Sequence, residues 1–147
     1  MGAEDRYCKT HSISWERLHQ DCKSLAKRLH GMGRWEHIVG IARGGLVPTA
    51  IVARELGIRL VDTVCISSYT LRTQGRPHIL KGITTEDGGR NWLIIDDLVD
   101  TGKTAQVVRA LLPNACFATV YAKPEGRPFV DTFITEVSQD TWILFPW

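Results

Sequence analysis

Asn91-Trp92-Leu93-Ile94-Ile95-Asp96-Asp97-Leu98-Val99-Asp100-Thr101-Gly102-Lys103-Thr104-Ala105 is the stretch from which the rest of the chain can be read. An apolar run stops at two adjacent carboxylates, a third acid follows at Asp100, and Thr101-Gly102 opens a helix-like pattern. This is the signature of a buried strand that delivers polar groups to its C-terminal end, with the start of the next helix beside them. The first N–H groups of a helix have no intrahelical acceptor and favour an anion, a phosphate above all. Carboxylates next to a phosphate repel it unless something reconciles the charges. Sugar hydroxyls that donate to the acids would do so, and so would a divalent cation. Either way the stretch reads as a site for a phosphorylated sugar with Mg²⁺. Gly102-Lys103-Thr104 also looks like the end of a P-loop, but a P-loop needs a glycine five residues before its last glycine. Asp97 stands there, and its carboxylate would face the nucleotide phosphates. Ordinary solvated acids at a strand end would account for one carboxylate, but not for three beside such a turn.

Outward from this stretch, strands and helices alternate. From a candidate N-cap at Ser14, the residues Trp15, Leu18, Cys22, Leu25, Ala26 and Leu29 recur at helical spacing, with a stop at Gly31 and Gly33. Ile38–Ala42 reads as a short buried strand running into Arg43-Gly44-Gly45, and Pro48–Leu56 as a helix ended by Gly57. A second strand is expected over about Leu60–Ile66. Trp92–Ile95 forms the third, and a helix over about Lys103–Leu112 stops at Pro113. The fourth strand is Phe117–Ala122, followed by the turn-rich Lys123-Pro124-Glu125-Gly126-Arg127-Pro128 and a tail, Phe129–Trp147, with alternating apolar residues. Between the second and third strands, Ser67–Arg90 is polar and long enough to be a functional flap. Strands alternating with helices predict an α/β fold with a parallel-sheet core flanked by helices on both faces. Ligands bind such sheets outside the strands' carboxyl ends. The Gly-rich and polar chemistry of this chain falls in the loops after Ala42, Ile66, Ile95 and Ala122.

At 147 residues and 44% hydrophobic content, the chain suits one domain, residues 1–147, with a proper core. A net charge of +2 and the lack of a Lys/Arg cluster argue against nucleic acid as a partner. Cys8, Cys22, Cys65 and Cys116 are widely spaced with no Cys-x-x-Cys pair, which argues against metal ligation by thiolates. Cys22, Cys65 and Cys116 lie in apolar patterns and read as buried thiols, in keeping with a reducing cytoplasm. The acidic, polar start is not a signal peptide. No apolar run approaches transmembrane length.

The run from Trp92 to Thr104 resembles the phosphoribosyl pyrophosphate (PRPP) signature of the type I phosphoribosyltransferases. In that family an apolar strand leads to two acids, two apolar residues, Asp-Thr-Gly, a variable residue and Thr, and every position is filled here. The resemblance implies the fold of that family, with a mobile flap at 67–90 and a base-binding hood at 123–147. It implies that Asp96 and Asp97 contact the ribose hydroxyls, directly or through Mg²⁺, with Asp97 as the metal ligand. Asp100, Thr101, Gly102, Lys103 and Thr104 would wrap the 5′-phosphate, and Asp100 would act as general acid or base at the purine. Arg43 and Gly44 would grip the pyrophosphate, in a loop expected to hold a cis peptide between those two residues. Ser67, Ser68, Tyr69, Arg72 and Arg76 are the flap's candidate contacts.

Further segments resemble the xanthine-guanine branch of the same family. They include Arg43-Gly44-Gly45-Leu46-Val47-Pro48, Val61–Tyr69, Ala122-Lys123-Pro124 and Gln139-Asp140-Thr141-Trp142-Ile143. By that likeness Lys123 donates to the purine 6-oxo group, Trp142 stacks on the base, and Ile143 offers backbone groups to its edge. The implied reaction is purine salvage: PRPP and guanine or xanthine give GMP or XMP and pyrophosphate, with hypoxanthine a poorer substrate. The likeness further implies a cytoplasmic homodimer or homotetramer with no transmembrane segment, and leaves room for weak peripheral membrane association. Two departures are visible. The family's chains continue beyond the position of Trp147, and Gln74-Gly75-Arg76-Pro77 places charge differently in the flap. Two alternatives remain at this level: a PRPP- or nucleotide-sensing regulator on the same fold, and an enzyme that prefers hypoxanthine.

Overall fold

The computed structural model describes residues 6–67 and 77–147. In chain order the elements are β1 (Lys9–Ser12), α1 (Trp15–His30), β2 (His37–Ala42), α2 (Leu46–Leu56), β3 (Val61–Ser67), β4 (His78–Lys81), β5 (Trp92–Val99), α3 (Lys103–Leu111), β6 (Cys116–Ala122), β7 (Thr132–Glu136) and β8 (Thr141–Leu144). Six strands form the main sheet in the order β4-β3-β2-β5-β6-β7. All neighbours are parallel except the edge pair β3–β4.

The central strands carry apolar residues on both faces because helices cover both. On one side Ile38, Leu93, Ile95, Ala118 and Val120 pack with Leu18, Cys22, Leu25 and Leu29 of α1 and Val52 of α2. On the other, Val39, Ile41, Ile94 and Phe117 pack with Ala105, Val108 and Leu112 along α3. The expected parallel core with helices on both faces is therefore present. The α1 start is also as the sequence implies: Ser14 is extended, and its hydroxyl accepts the Arg17 N–H at 3.0 Å.

Several local expectations change. Trp15 does not join the buried stripe of α1; it is 54% exposed and lies against Trp147. Helix α2 begins at Leu46, two residues before Pro48, because a proline in the first turn lacks only an N–H that would be unpaired there. Cys65 and Cys116 are half-buried, and only Cys22 is fully enclosed. Burial pushes the Cys22 thiol up to about 12.

Strand β1 has no counterpart in the sequence reading. It pairs in parallel with β8, Lys9 opposite Thr141 and Ser12 opposite Leu144, so both ends of the chain build one small sheet. Within the segment read as a flap, Ser68, Tyr69, Arg72 and Arg76 lie outside the described residues. The described remainder holds β4 and a turn anchored by Asn114, whose N–H and side-chain amide donate to Gly88 and Asp87 carbonyls, both at 2.7 Å.

Candidate active site

Strands β2, β5 and β6 are parallel neighbours, so their C-terminal ends open on one edge of the sheet. Strand β5 runs on to Val99, and Asp96 and Asp97 therefore sit within the second half of the strand rather than in the loop beyond it. The Asp97 N–H donates to Asp96 Oδ1 at 2.9 Å, and the Leu98 N–H to Asp97 Oδ1 at 2.7 Å. Burial raises the Asp96 carboxyl well above the usual aspartate range, and the neighbouring Asp97 charge adds to it. Asp97 is also raised by burial, with partial relief from Asp96 and the Leu98 N–H. Burial thus opposes ionisation of both neighbouring carboxyls.

The loop after β2 faces this pair. A cis peptide is present, between Ala42 and Arg43 rather than between Arg43 and Gly44. The ladder of β2 with β3 lasts to Ala42, opposite Cys65, and Arg43 O already accepts the Leu46 N–H of α2, so the turn begins one bond earlier than expected. Gly44 is required by contact: a Cβ there would land on the Asp97 carboxylate. A cleft of about 570 Å³ opens between Arg43, Gly44, Ser67, Asp96, Asp97 and Thr104.

Next to it, Asp100 to Thr104 curl around a smaller cavity of about 120 Å³, to which Asp96 also contributes. Gly102 has φ +88°, and a Cβ would strike the Phe129 ring, so the tight turn needs glycine on both counts. It leads straight into α3, whose first turn has no side-chain cap. Its N–H groups and the Thr101 and Thr104 side chains border the cavity, while Lys103 is exposed at its rim.

The loop after β6 completes the edge. Lys123 is 1% exposed, and its N–H donates to Val99 O at 2.9 Å, which ties the end of β6 to the end of β5. The Lys123 Nζ donates to Asp100 Oδ2 at 3.1 Å. A solvated loop lysine would not be enclosed in this way. Gln139 Nε2 donates to Asp100 Oδ1 at 2.7 Å while its Oε1 accepts the Glu125 N–H at 3.0 Å, so the amide is held at both ends. Trp142 is 50% exposed with its ring edge-on to that of Tyr7, centres 5.1 Å apart, and Ile143 is buried on β8 opposite His11 of β1.

Arg43, Gly44, Ser67, Asp96, Asp97, Lys123 and the turn from Asp100 to Thr104 thus gather at one edge, while the Ile143 side chain packs into the core on the α1 side. Two participants were not foreseen. Gln139 lies in a segment already singled out for likeness, but an amide's role depends on its partner. Tyr7, whose hydroxyl donates to Asp100 Oδ2 at 3.1 Å, comes from a polar N-terminal segment that carries no local signal. Among the described residues, no group of three or more His, Cys, Asp and Glu could hold a metal, and no helix is long and apolar enough to cross a membrane.

Residues 14–147 match the phosphoribosyl transferase domain. The chain is similar to the xanthine-guanine phosphoribosyltransferase of Nitratidesulfovibrio vulgaris strain DP4, 62% identical over 148 residues that take in 100% of this chain and 90% of the relative. The enzyme of the same name from Desulfotalea psychrophila is 60% identical, with 97% and 89% of the two chains covered. Among solved structures, the purine phosphoribosyltransferase of Pyrococcus horikoshii superposes with a TM-score of 0.80 at 26% identity, over 94% of this chain and 93% of the other. The match begins at the N-cap of α1 and reaches the last residue, so the strand-end loops just described all fall inside it: this chain belongs to the phosphoribosyl transferase domain family.

Proposed function

We propose that this protein salvages purines, transferring the 5-phosphoribosyl group of PRPP to N9 of guanine or xanthine and releasing pyrophosphate. One observation carries the residue assignment. Asp100 is both the first residue of the phosphate-cradling turn and the partner of buried Lys123. The sugar-phosphate and base subsites therefore meet at one side chain, and the reacting C1′ belongs beside it.

The first turn of α3, with Gly102 and the Thr101, Lys103 and Thr104 side chains, takes the 5′-phosphate. Arg43 and the Gly44 backbone take the pyrophosphate across the larger cleft. Asp96 and Asp97 accept the ribose hydroxyls. Asp97, with its hard oxygens and a neighbouring acid of like charge, suits Mg²⁺, whose remaining ligands would be substrate oxygens. When bound, the ion neutralises pyrophosphate charge and makes that group a better leaving group. The base lies on Trp142, an aromatic platform open to one side. Lys123 donates to its 6-oxo group, and the backbone at Ile143 meets its edge. As the C1′–oxygen bond to pyrophosphate breaks and the N9 bond forms, positive charge builds on the ribose, and the acids beside it stabilise that charge. Asp100, steadied by Gln139, takes up the proton that the purine loses near N7.

The 6-oxo requirement favours oxopurines over adenine, and the two relatives named for xanthine and guanine support those as the bases. Residues 67–90 as a closing flap, 123–147 as the base-binding hood, a homodimer or homotetramer, and a cytoplasmic site of action complete the proposal. A UV-monitored assay with PRPP and Mg²⁺ against guanine, xanthine, hypoxanthine and adenine tests it. Turnover of guanine or xanthine with adenine inert is the expected result. PRPP binding without turnover of any base would instead favour a sensor on the same fold.

A further inference from the structure

We infer that Tyr7 is a built-in occupant of the base subsite, which an incoming purine must displace. The inference rests on the reading of Lys123 and Trp142 as the base-binding groups. One aromatic ring touches Lys123, Trp142 and Asp100, three of the groups that reading places around the purine. Lys123 Nζ lies 4.5 Å from the centre of the Tyr7 ring, on its face. The Trp142 ring stands edge-on to it at 5.1 Å and 61°. The Tyr7 hydroxyl donates to Asp100 Oδ2, the oxygen that also accepts from Lys123. A flat ring over the ammonium, with an O–H directed at the carboxylate, imitates an oxopurine that presents its own N–H to Asp100. A 6-oxo group needs to come within about 3 Å of the lysine nitrogen to accept from it. The ring of Tyr7 already covers that approach.

The backbone makes displacement cheap. The N–H groups of Cys8 and Lys9 both donate to Asp140 O, at 2.9 and 3.2 Å, and from there β1 is laddered to β8. Tyr7 is the residue just outside this anchor. On its other side, among the described residues, Arg6 makes a 3.7 Å ion pair to Glu125, both side chains more than half exposed, an arrangement that contributes little. Rotation at Tyr7 can therefore withdraw the ring without opening the β1–β8 ladder. A subsite that is mostly occupied by its own side chain binds ligand with an affinity lowered by the fraction of time it is free.

Steady-state kinetics on the whole chain, with guanine, PRPP and Mg²⁺, test this in Tyr7→Ala, Tyr7→Phe and Lys123→Met. Tyr7→Ala removes the competitor and lowers the KM for guanine about 10-fold, whereas Tyr7→Phe keeps the ring, loses the O–H bond, and lowers it about 3-fold. The KM for PRPP moves far less, because Asp100 is the one residue of the Asp100–Thr104 turn that Tyr7 bonds among the described residues, and Gln139 holds that carboxylate independently. A KM for guanine that rises or stays level in both Tyr7 variants overturns the inference; a rise would make Tyr7 a wall that grips the base. If Lys123→Met raises the guanine KM while the Tyr7 variants fail to lower it, Tyr7 alone has been misread. If Lys123→Met leaves guanine kinetics and adenine discrimination untouched, the base subsite lies elsewhere and both readings fall. Should Tyr7→Ala fold poorly, Tyr7→Phe, which keeps both ring contacts, still decides the direction of the effect.

Discussion

Lys123→Met replaces a buried ammonium by an unbranched apolar side chain of similar length, and it separates the base-recognition role of Lys123 from its packing. The hydrogen bond at stake runs from a charged donor to the purine 6-oxo group. Bonds of that kind contribute about 1.5–3 kcal/mol net, equivalent to about 10- to 150-fold in kcat/KM. The lower half of that range applies, because in the free protein Lys123 Nζ is already satisfied by Asp100 at 3.1 Å and must share its donors. Guanine turnover should therefore fall by about 10- to 50-fold in kcat/KM. Adenine never had this bond and should change little, so the preference for guanine narrows by a similar factor. Stability should move much less. Asp100 keeps the Gln139 and Tyr7 bonds and is 30% exposed in its side chain, so removing the lysine does not strand a fully buried charge. The UV-monitored assay with both bases, paired with a thermal melt, reads all three quantities. An unchanged guanine-to-adenine ratio in a well-folded variant would refute the assignment of Lys123 to the 6-oxo group.

The other expectations follow from single contacts. Asp100→Asn keeps the shape but removes the proton acceptor, so kcat should drop by about 10²- to 10⁴-fold with PRPP affinity little altered; equal turnover would take Asp100 out of the mechanism. Gly44→Ala sets a methyl on the Asp97 carboxylate, and a displacement on this scale should cost about 100-fold in kcat/KM for PRPP, while binding of PRPP at the wild-type level would show that the loop yields. His37 is buried against Trp92, ring centres 3.8 Å apart, and desolvation lowers its pKa from the ordinary 6.5 against a weaker opposing pull from Asp62. The unfolded chain then binds the proton more readily, so His37 contributes stability that is full above pH 6.5 and is lost as pH falls through the folded value. In urea unfolding between pH 7.5 and 5, His37→Phe should flatten the acid-side decline relative to wild type, and identical slopes would contradict the sign.

Most of what was legible in the sequence was local. Periodicity placed α1, the core of α2, β2 and α3, because each buries a set of side chains whose spacing is fixed by its own backbone, while β3 was legible from its β-branched run although Val64 alone is fully buried there. The boundary of β5 was less legible, since Asp96 and Asp97 read as loop residues when only their polarity is considered. In the fold they continue the strand, held by pairing with β6 at Asp96–Thr119 and Leu98–Tyr121. The position of the cis peptide shifted by one bond for a similar reason: where a strand ends depends on its neighbour.

The sequence by itself determined the α/β class, the Asp-Thr-Gly turn at the head of α3 and the pair of acids, because the turn and the acids lie within a few residues of one another and the alternation of strands and helices is written along the chain. Only the tertiary structure decided that Lys123 is buried against Asp100, that Gln139 fixes the other oxygen of that carboxylate, and that β1 and β8 share one small sheet. Tyr7 and Asp100 are separated by 93 positions. No pattern of spacing encodes such a contact; it exists because β1 pairs with β8, and Gln139, just before β8, is bonded to Asp100 at the end of β5.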